Sequence, residues 1–176
     1  MKRMEKKQDR ASKKSRRFKI GRNIGILLLS MGVLLTGCSG ISDMVAVYDN
    51  EARIASQSNS YNKVNYRQSE KNNTITVVCE TFEGMDTLWD YDAEGTESFD
   101  FAYDLKAESG KAKLVLIRPD GSLETLVEVT DKTEGRKAEG AMTLEMEAGR
   151  NRIKLVGGED TQIDLEMTMT KLQGII

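Results

Sequence analysis

From Thr74 to Leu172 apolar and polar residues alternate with a period of two, and Gly, Asp or Asn breaks the alternation about every 8 to 12 residues. Such a chain is built for antiparallel sheet, with one face packed and one wet, and strands are the better reading of that stretch. The segments that alternate best are 74–80, 85–91, 98–106, 111–118, 123–130, 141–148, 152–157 and 162–172. Eight short strands in about 100 residues predict an all-β fold, an antiparallel two-sheet β-sandwich or jelly-roll-like domain over 73–176.

The turn chemistry agrees. Pro119-Asp120-Gly121 sits between two strongly β segments, where Pro presets φ and Gly accepts a positive one, so 111–118 and 123–130 should form a hairpin. Gly149-Arg150-Asn151 marks a second turn, and Pro119, the single Pro, interrupts no predicted strand. Alternation also assigns faces: Met142, Leu144 and Met146 oppose Thr143, Glu145 and Glu147, while Ile163, Leu165, Met167 and Met169 oppose Asp164, Glu166 and Thr168. The Met-rich stripe reads as core filler rather than a soft-metal site.

The chain before residue 73 has another character. Residues 1–22 hold eleven Lys or Arg against two acids, and an uncharged run, apolar from Ile24 to Leu35, follows. That run has the length of a signal-peptide core and falls short of the roughly 18 to 20 residues of a spanning helix. From Cys38 onward fifteen basic residues face twenty-six acidic ones, a net charge of −11, which argues against nucleic acid as a partner. Residues 38–72 are rich in Ser, Asn and Gln and read as a flexible polar tether, in which Ile41, Met44, Val45 and Tyr48 have the spacing of a short amphipathic helix.

Leu35-Thr36-Gly37-Cys38 resembles the lipobox of bacterial lipoprotein precursors, in an aliphatic-small-small-Cys order directly after the apolar run. The resemblance implies a signal peptide over 1–37, cleavage between Gly37 and Cys38, and a diacylglyceryl thioether on Cys38. Two acyl chains give stable anchoring where one holds marginally. The expectation is therefore a lipid-anchored protein on the extracytoplasmic face of a cell membrane. Ser15-Arg16-Arg17-Phe18 departs from the twin-arginine export signal, because Phe18 follows the arginine pair directly.

Several chemistries are excluded or weakened by the residues. The chain has no His, which removes Ser-His-Asp and Cys-His catalysis and imidazole metal ligation. Cys79 alternates with Ile75 and Val77 and reads as a buried thiol. Ser109-Gly110-Lys111 lacks the other residues of a phosphate loop, and Ser60-Tyr61-Asn62-Lys63 spells S-x-x-K in a polar segment with no K-T-G to follow. Asp90, Asp92, Glu94 and Gly95 resemble the start of a calcium loop, but Phe101 stands where the bidentate Glu belongs. A hairpin with acidic outward positions is the better reading, and no cofactor or metal is expected. A glycosidase-like carboxylate pair would need Asp90 and Asp100 in one cleft.

The aromatic residues give the candidate binding site. Trp89 and Tyr91 lie two apart on one strand, and Phe99, Phe101 and Tyr103 on the next, so each set lines one face. Facing inward they are a core layer; facing outward, Trp89, Tyr91 and Tyr103 become a platform for a sugar ring. Ala148-Gly149-Arg150-Asn151 and Ile163-Asp164-Leu165 are similar to the closing strands of sandwich carbohydrate-binding modules, which implies the same fold and a glycan as one partner. The leading expectation is a non-catalytic binding or interaction module at the cell surface, with a glycan or a protein as partner.

Overall fold

The computed structural model of the chain describes residues 43–172, so Cys38 and the segments around it lie outside the described residues. Eight antiparallel strands, β1 (Ser60–Val64), β2 (Arg67–Lys71), β3 (Thr74–Ala93), β4 (Glu97–Ser109), β5 (Ala112–Ile117), β6 (Leu123–Val129), β7 (Lys137–Met146) and β8 (Gly149–Lys171), form one hydrogen-bonded sheet. Its two long strands, β3 and β8, pair along nearly their whole length and bend together, which folds the sheet into two layers. Layer A runs β2, the first part of β3, the last part of β8, β4 and β7. Layer B runs β1, the rest of β3, the first part of β8, β5 and β6.

The sandwich expected from the alternation is thus present, with its two sheets continuous through β3 and β8. Segments 74–80 and 85–91 are one strand, as are 152–157 and 162–172. The pairing of β3 with β8 shifts register twice between Cys79 and Gly84, and this irregularity bends the pair instead of reversing it. Phe82, fully buried at this corner, lies over Gly157 so closely that a Cβ there would come within 2.4 Å of the ring. Only glycine admits that approach.

The hairpin forms as expected. β5 pairs with β6, the Gly121 N–H donates to the Arg118 carbonyl, the Arg118 N–H donates to Ser122, and Gly121 takes φ 85°. The faces read from 141–148 and 162–169 also hold: Leu144, Met146, Ile163, Leu165, Met167 and Met169 are buried, and Glu145, Asp164 and Glu166 are exposed. With Phe101, Leu105, Leu114 and Leu155 they form one core between the layers. Cys79 belongs to it, 1 % exposed, with Sγ 2.9 Å from the Thr81 carbonyl oxygen; burial pushes its thiol pKa up.

The polar stretch expected to be a tether is the main departure. Residues 60–64 and 67–71 are edge strands on β3, and 43–59 wrap the outward face of layer B. Of the expected amphipathic helix, Ile41 lies outside the described residues, and the described part holds a 3-10 turn, Val45–Val47, followed by the short helix α1, Glu51–Ala55, whose N-terminus Asn50 caps by accepting the Arg53 N–H. Val47, Tyr48 and Ile54 pack there against Met85, Val115, Ile117 and Val156 in a second core.

Two buried cations fasten this strap. Lys154 is 0 % exposed and donates to the carbonyls of Ser56 and Ser58 at 2.8 and 2.9 Å. Arg152 donates to the carbonyls of Ala55 and Ser56 at 2.9 and 2.7 Å. Burial, then repulsion from Arg152, pushes the Lys154 pKa down to about 8. Between pH 8 and the ordinary lysine range near 10.4 the unfolded chain keeps a proton that the folded one has released, so this group makes stability rise with pH across that window. Cys79 works in the opposite sense, because its raised thiol holds a proton that the unfolded thiol loses. Urea midpoints from pH 7 to 10 should therefore rise more, or fall less, for the wild type than for Lys154→Met. Parallel profiles would show that Lys154 keeps its charge when buried.

Candidate functional site

Of the two orientations open to Trp89 and Tyr91, the structure takes the inward one, although Met85 and Thr87 just before them on β3 point outward. Leu88 is an extra residue in the ladder with β8, so Thr87 faces Lys154 while Trp89 faces Ile153, and the bulge returns Trp89, Tyr91 and Ala93 to the inner face. At the end of the sandwich formed by the start of β4 and the end of β8 the layers are open, and both rings remain half-buried there.

The rings of Trp89 and Tyr91 stack with centroids 5.4 Å apart and planes inclined by 16°. Buried Phe99 stands edge-on to both, at 5.4 and 5.0 Å. Offset stacking with an edge-on third ring is the favoured arrangement of aromatic quadrupoles, so the pair is held rigidly. Together with Ile75 and Met169 these rings line a cleft of 240 Å³ whose rim carries Glu70, Asn73 and Lys171.

Two of the lining residues, Tyr91 and Lys171, are joined by Glu97 in a three-membered network. The Tyr91 hydroxyl donates to Glu97 at 2.5 Å, and Lys171 Nζ lies 2.5 Å from Glu97 and donates to the Tyr91 hydroxyl at 3.0 Å. The hydrogen bonds from Lys171 and then Tyr91 hold the Glu97 carboxyl below its usual range, and the Glu97 bond raises Lys171 above its own. Both are therefore charged at neutral pH, which suits fixed hydrogen bonding and not proton transfer.

The other sequence-stretch candidates lie elsewhere. Tyr103, on the same face of β4 as Phe99 but about 13 Å further along the strand, stacks on Phe101 at 5.5 Å and covers Gly140, so it is not a third member of the platform. Asp90 points outward from layer B, where the Arg150 guanidinium engages both its oxygens at 2.5 to 3.0 Å and lowers its pKa. A cation at Asp90, Asp92 and Glu94 would have to displace that arginine. Among the described residues no group of three or more Asp, Glu or Cys is placed to hold a metal ion. Asp100 points outward from layer A and accepts from Thr143, so Asp90 and Asp100 are not brought together. Lys171, which lines the aromatic cleft, and Glu97, which bonds to it and to Tyr91, carry no sequence signal, because 73 residues of chain separate them and only the β4–β8 pairing unites them.

No protein-family model matches the sequence, and no curated protein is similar to it. Among solved structures, the chain is similar to a carbohydrate-binding module of the Cellvibrio mixtus lichenase 5A in complex with cellotriose, at 10% identity and a TM-score of 0.34, over 64% of this chain and 91% of that one. A family 35 carbohydrate-binding module from Clostridium thermocellum gives 8% identity and a TM-score of 0.33 over the same shares. An exo-beta-1,3-galactanase from Phanerochaete chrysosporium with galactose gives 14% and 0.35, over 64% of this chain and 29% of the enzyme. Likeness at this level assigns neither a family nor a ligand.

Proposed function

We propose that the protein is a lipid-anchored, extracytoplasmic binding protein whose sandwich holds a glycan, without catalysis, in the cleft of Trp89 and Tyr91. The observation that carries this reading is the stacked aromatic pair held half-open beside a fixed ion pair. A pyranose ring has an apolar C–H face and a rim of hydroxyls. The first matches the indole and phenol faces; the second matches Glu70, Lys171 and Asn73, an acceptor, a donor and a group that is both. The charged state of Glu97 and Lys171 favours holding hydroxyls over cleaving a glycosidic bond.

Anchoring is the second half of the proposal and rests on the basic block, the apolar run and Leu35-Thr36-Gly37-Cys38. No helix among the described residues is long and apolar enough to cross a membrane. Native material should have the mass of a chain beginning at an acylated Cys38, and Cys38→Ala should leave an uncleaved, unacylated precursor. An unmodified thiol at position 38 in native material would defeat this half of the reading.

Trp89 is the only tryptophan, so its emission reports this cleft alone. Titration with cell-wall and plant polysaccharides should shift the emission to shorter wavelength and saturate. An emission unmoved by every glycan would leave a protein partner as the function of the domain.

A further inference from the structure

We propose that a second cleft, on the outward face of layer B between the end of α1 and the β5–β6 turn, binds a phosphoryl group through Arg118, Arg150 and Arg152. The cleft has a volume of 290 Å³, and the chain segments Ala55–Gln57 and Pro119–Gly121 form its walls. From Cys38 onward the chain has six arginines, Arg53, Arg67, Arg118, Arg136, Arg150 and Arg152, and three of them line this one cleft in a domain of net charge −11.

Arg152 is the central observation. It is 7 % exposed, no carboxylate pairs with it among the described residues, and its two hydrogen bonds go to the carbonyls of Ala55 and Ser56. A guanidinium has five N–H donors, so donors remain for a ligand in the cleft. A buried cation whose hydrogen bonds go only to carbonyls is costly even with Asp90 across the strand pair, since Arg150 holds that carboxylate, and an anion entering beside it relieves the cost. Burial and then the neighbouring Arg150 charge press its pKa down, against a smaller pull from Asp90.

The other two arginines are engaged in ways that leave them available. Arg150 pairs with Asp90, and both are exposed. Arg118 pairs with Glu124 at 2.7 Å and Glu147 at 3.7 Å and donates to the Glu145 carbonyl. Exposed pairs of this kind contribute about 0 to 1 kcal/mol, so a doubly charged oxyanion can compete for the forks. Asp120 also lies on the rim, with one oxygen accepting the Ser122 N–H. Three planar forks reaching one cleft fit the three free oxygens of a phosphate monoester better than the two of a carboxylate, for which one fork is enough.

The test uses the full chain in detergent, titrated with inorganic phosphate and with dihexanoyl phosphatidic acid below its micelle concentration, against chloride at equal ionic strength. A saturable rise in melting temperature with phosphate is expected, and Arg150→Gln, a change at an exposed residue, should weaken it by about tenfold to a hundredfold, the worth of one charge-assisted hydrogen bond. Arg152→Lys, which keeps the charge but loses the fork, should weaken it further. Equal affinity for both probes identifies free phosphate as the source; tighter binding of the lipid identifies a headgroup. A response no larger than that of chloride, or one that survives Arg150→Gln unchanged, overturns the proposal. Trp89→Ala should leave the phosphate response intact, which separates this outcome from that of the aromatic cleft.

Discussion

Phe82→Ala should cost the domain about 3 to 5 kcal/mol, read as a fall in the urea midpoint, and so remove roughly a fifth or more of the stability of an ordinary domain. Phe82 is fully buried where β3 and β8 turn together from one layer to the other, and its partner across the corner, Gly157, has no side chain to fill the space left behind. Neighbouring strands on both sides are fixed by their ladders, so the cavity cannot close. Phe82→Leu keeps most of the volume and should cost less than half as much. A loss under about 1 kcal/mol for the alanine variant would mean that the corner relaxes, and that the bend is set by the backbone alone.

The second large effect belongs to the aromatic cleft. Trp89→Ala should weaken glycan binding by at least about thirtyfold, the equivalent of a 2 kcal/mol anchor residue, measured by calorimetry because the variant has no indole to report. Lys171→Met retains the indole, and its emission shift should need a higher glycan concentration. Tyr103→Phe, outside the cleft, should bind as the wild type does. Equal binding by the wild type and Trp89→Ala would place the glycan elsewhere on the surface.

Particular residues show what was legible in the sequence. Pro119-Asp120-Gly121 announced the β5–β6 hairpin because its φ preferences act locally, and the faces of β7 and the end of β8 followed from strict alternation. The strand count agreed for a less instructive reason. Glu83-Gly84 and Gly157-Gly158-Glu159-Asp160 have the composition of turns but bend the long strands instead, while β1 and β2 hide in a polar stretch because edge strands expose most of their side chains. The orientation of Trp89 was illegible for a related cause. A single bulged residue, Leu88, inverts the parity of everything after it, and only cross-strand register reveals a bulge. Glu97 and Lys171 lay beyond any local pattern.

The strap over layer B changes how an anchored domain would be held. With a slack tether of roughly thirty residues the sandwich would wander freely above its lipid. Among the described residues packing is already in place at Met44 and Val47, and the stretch from Cys38 to Asp43 spans no more than about 18 Å even at full extension. On a short leash of that kind, any tug along the chain passes into the carbonyl grips of Arg152 and Lys154 and from there into the long strands themselves. The domain would then ride close to the headgroups, moving with its membrane as a rigid fitting.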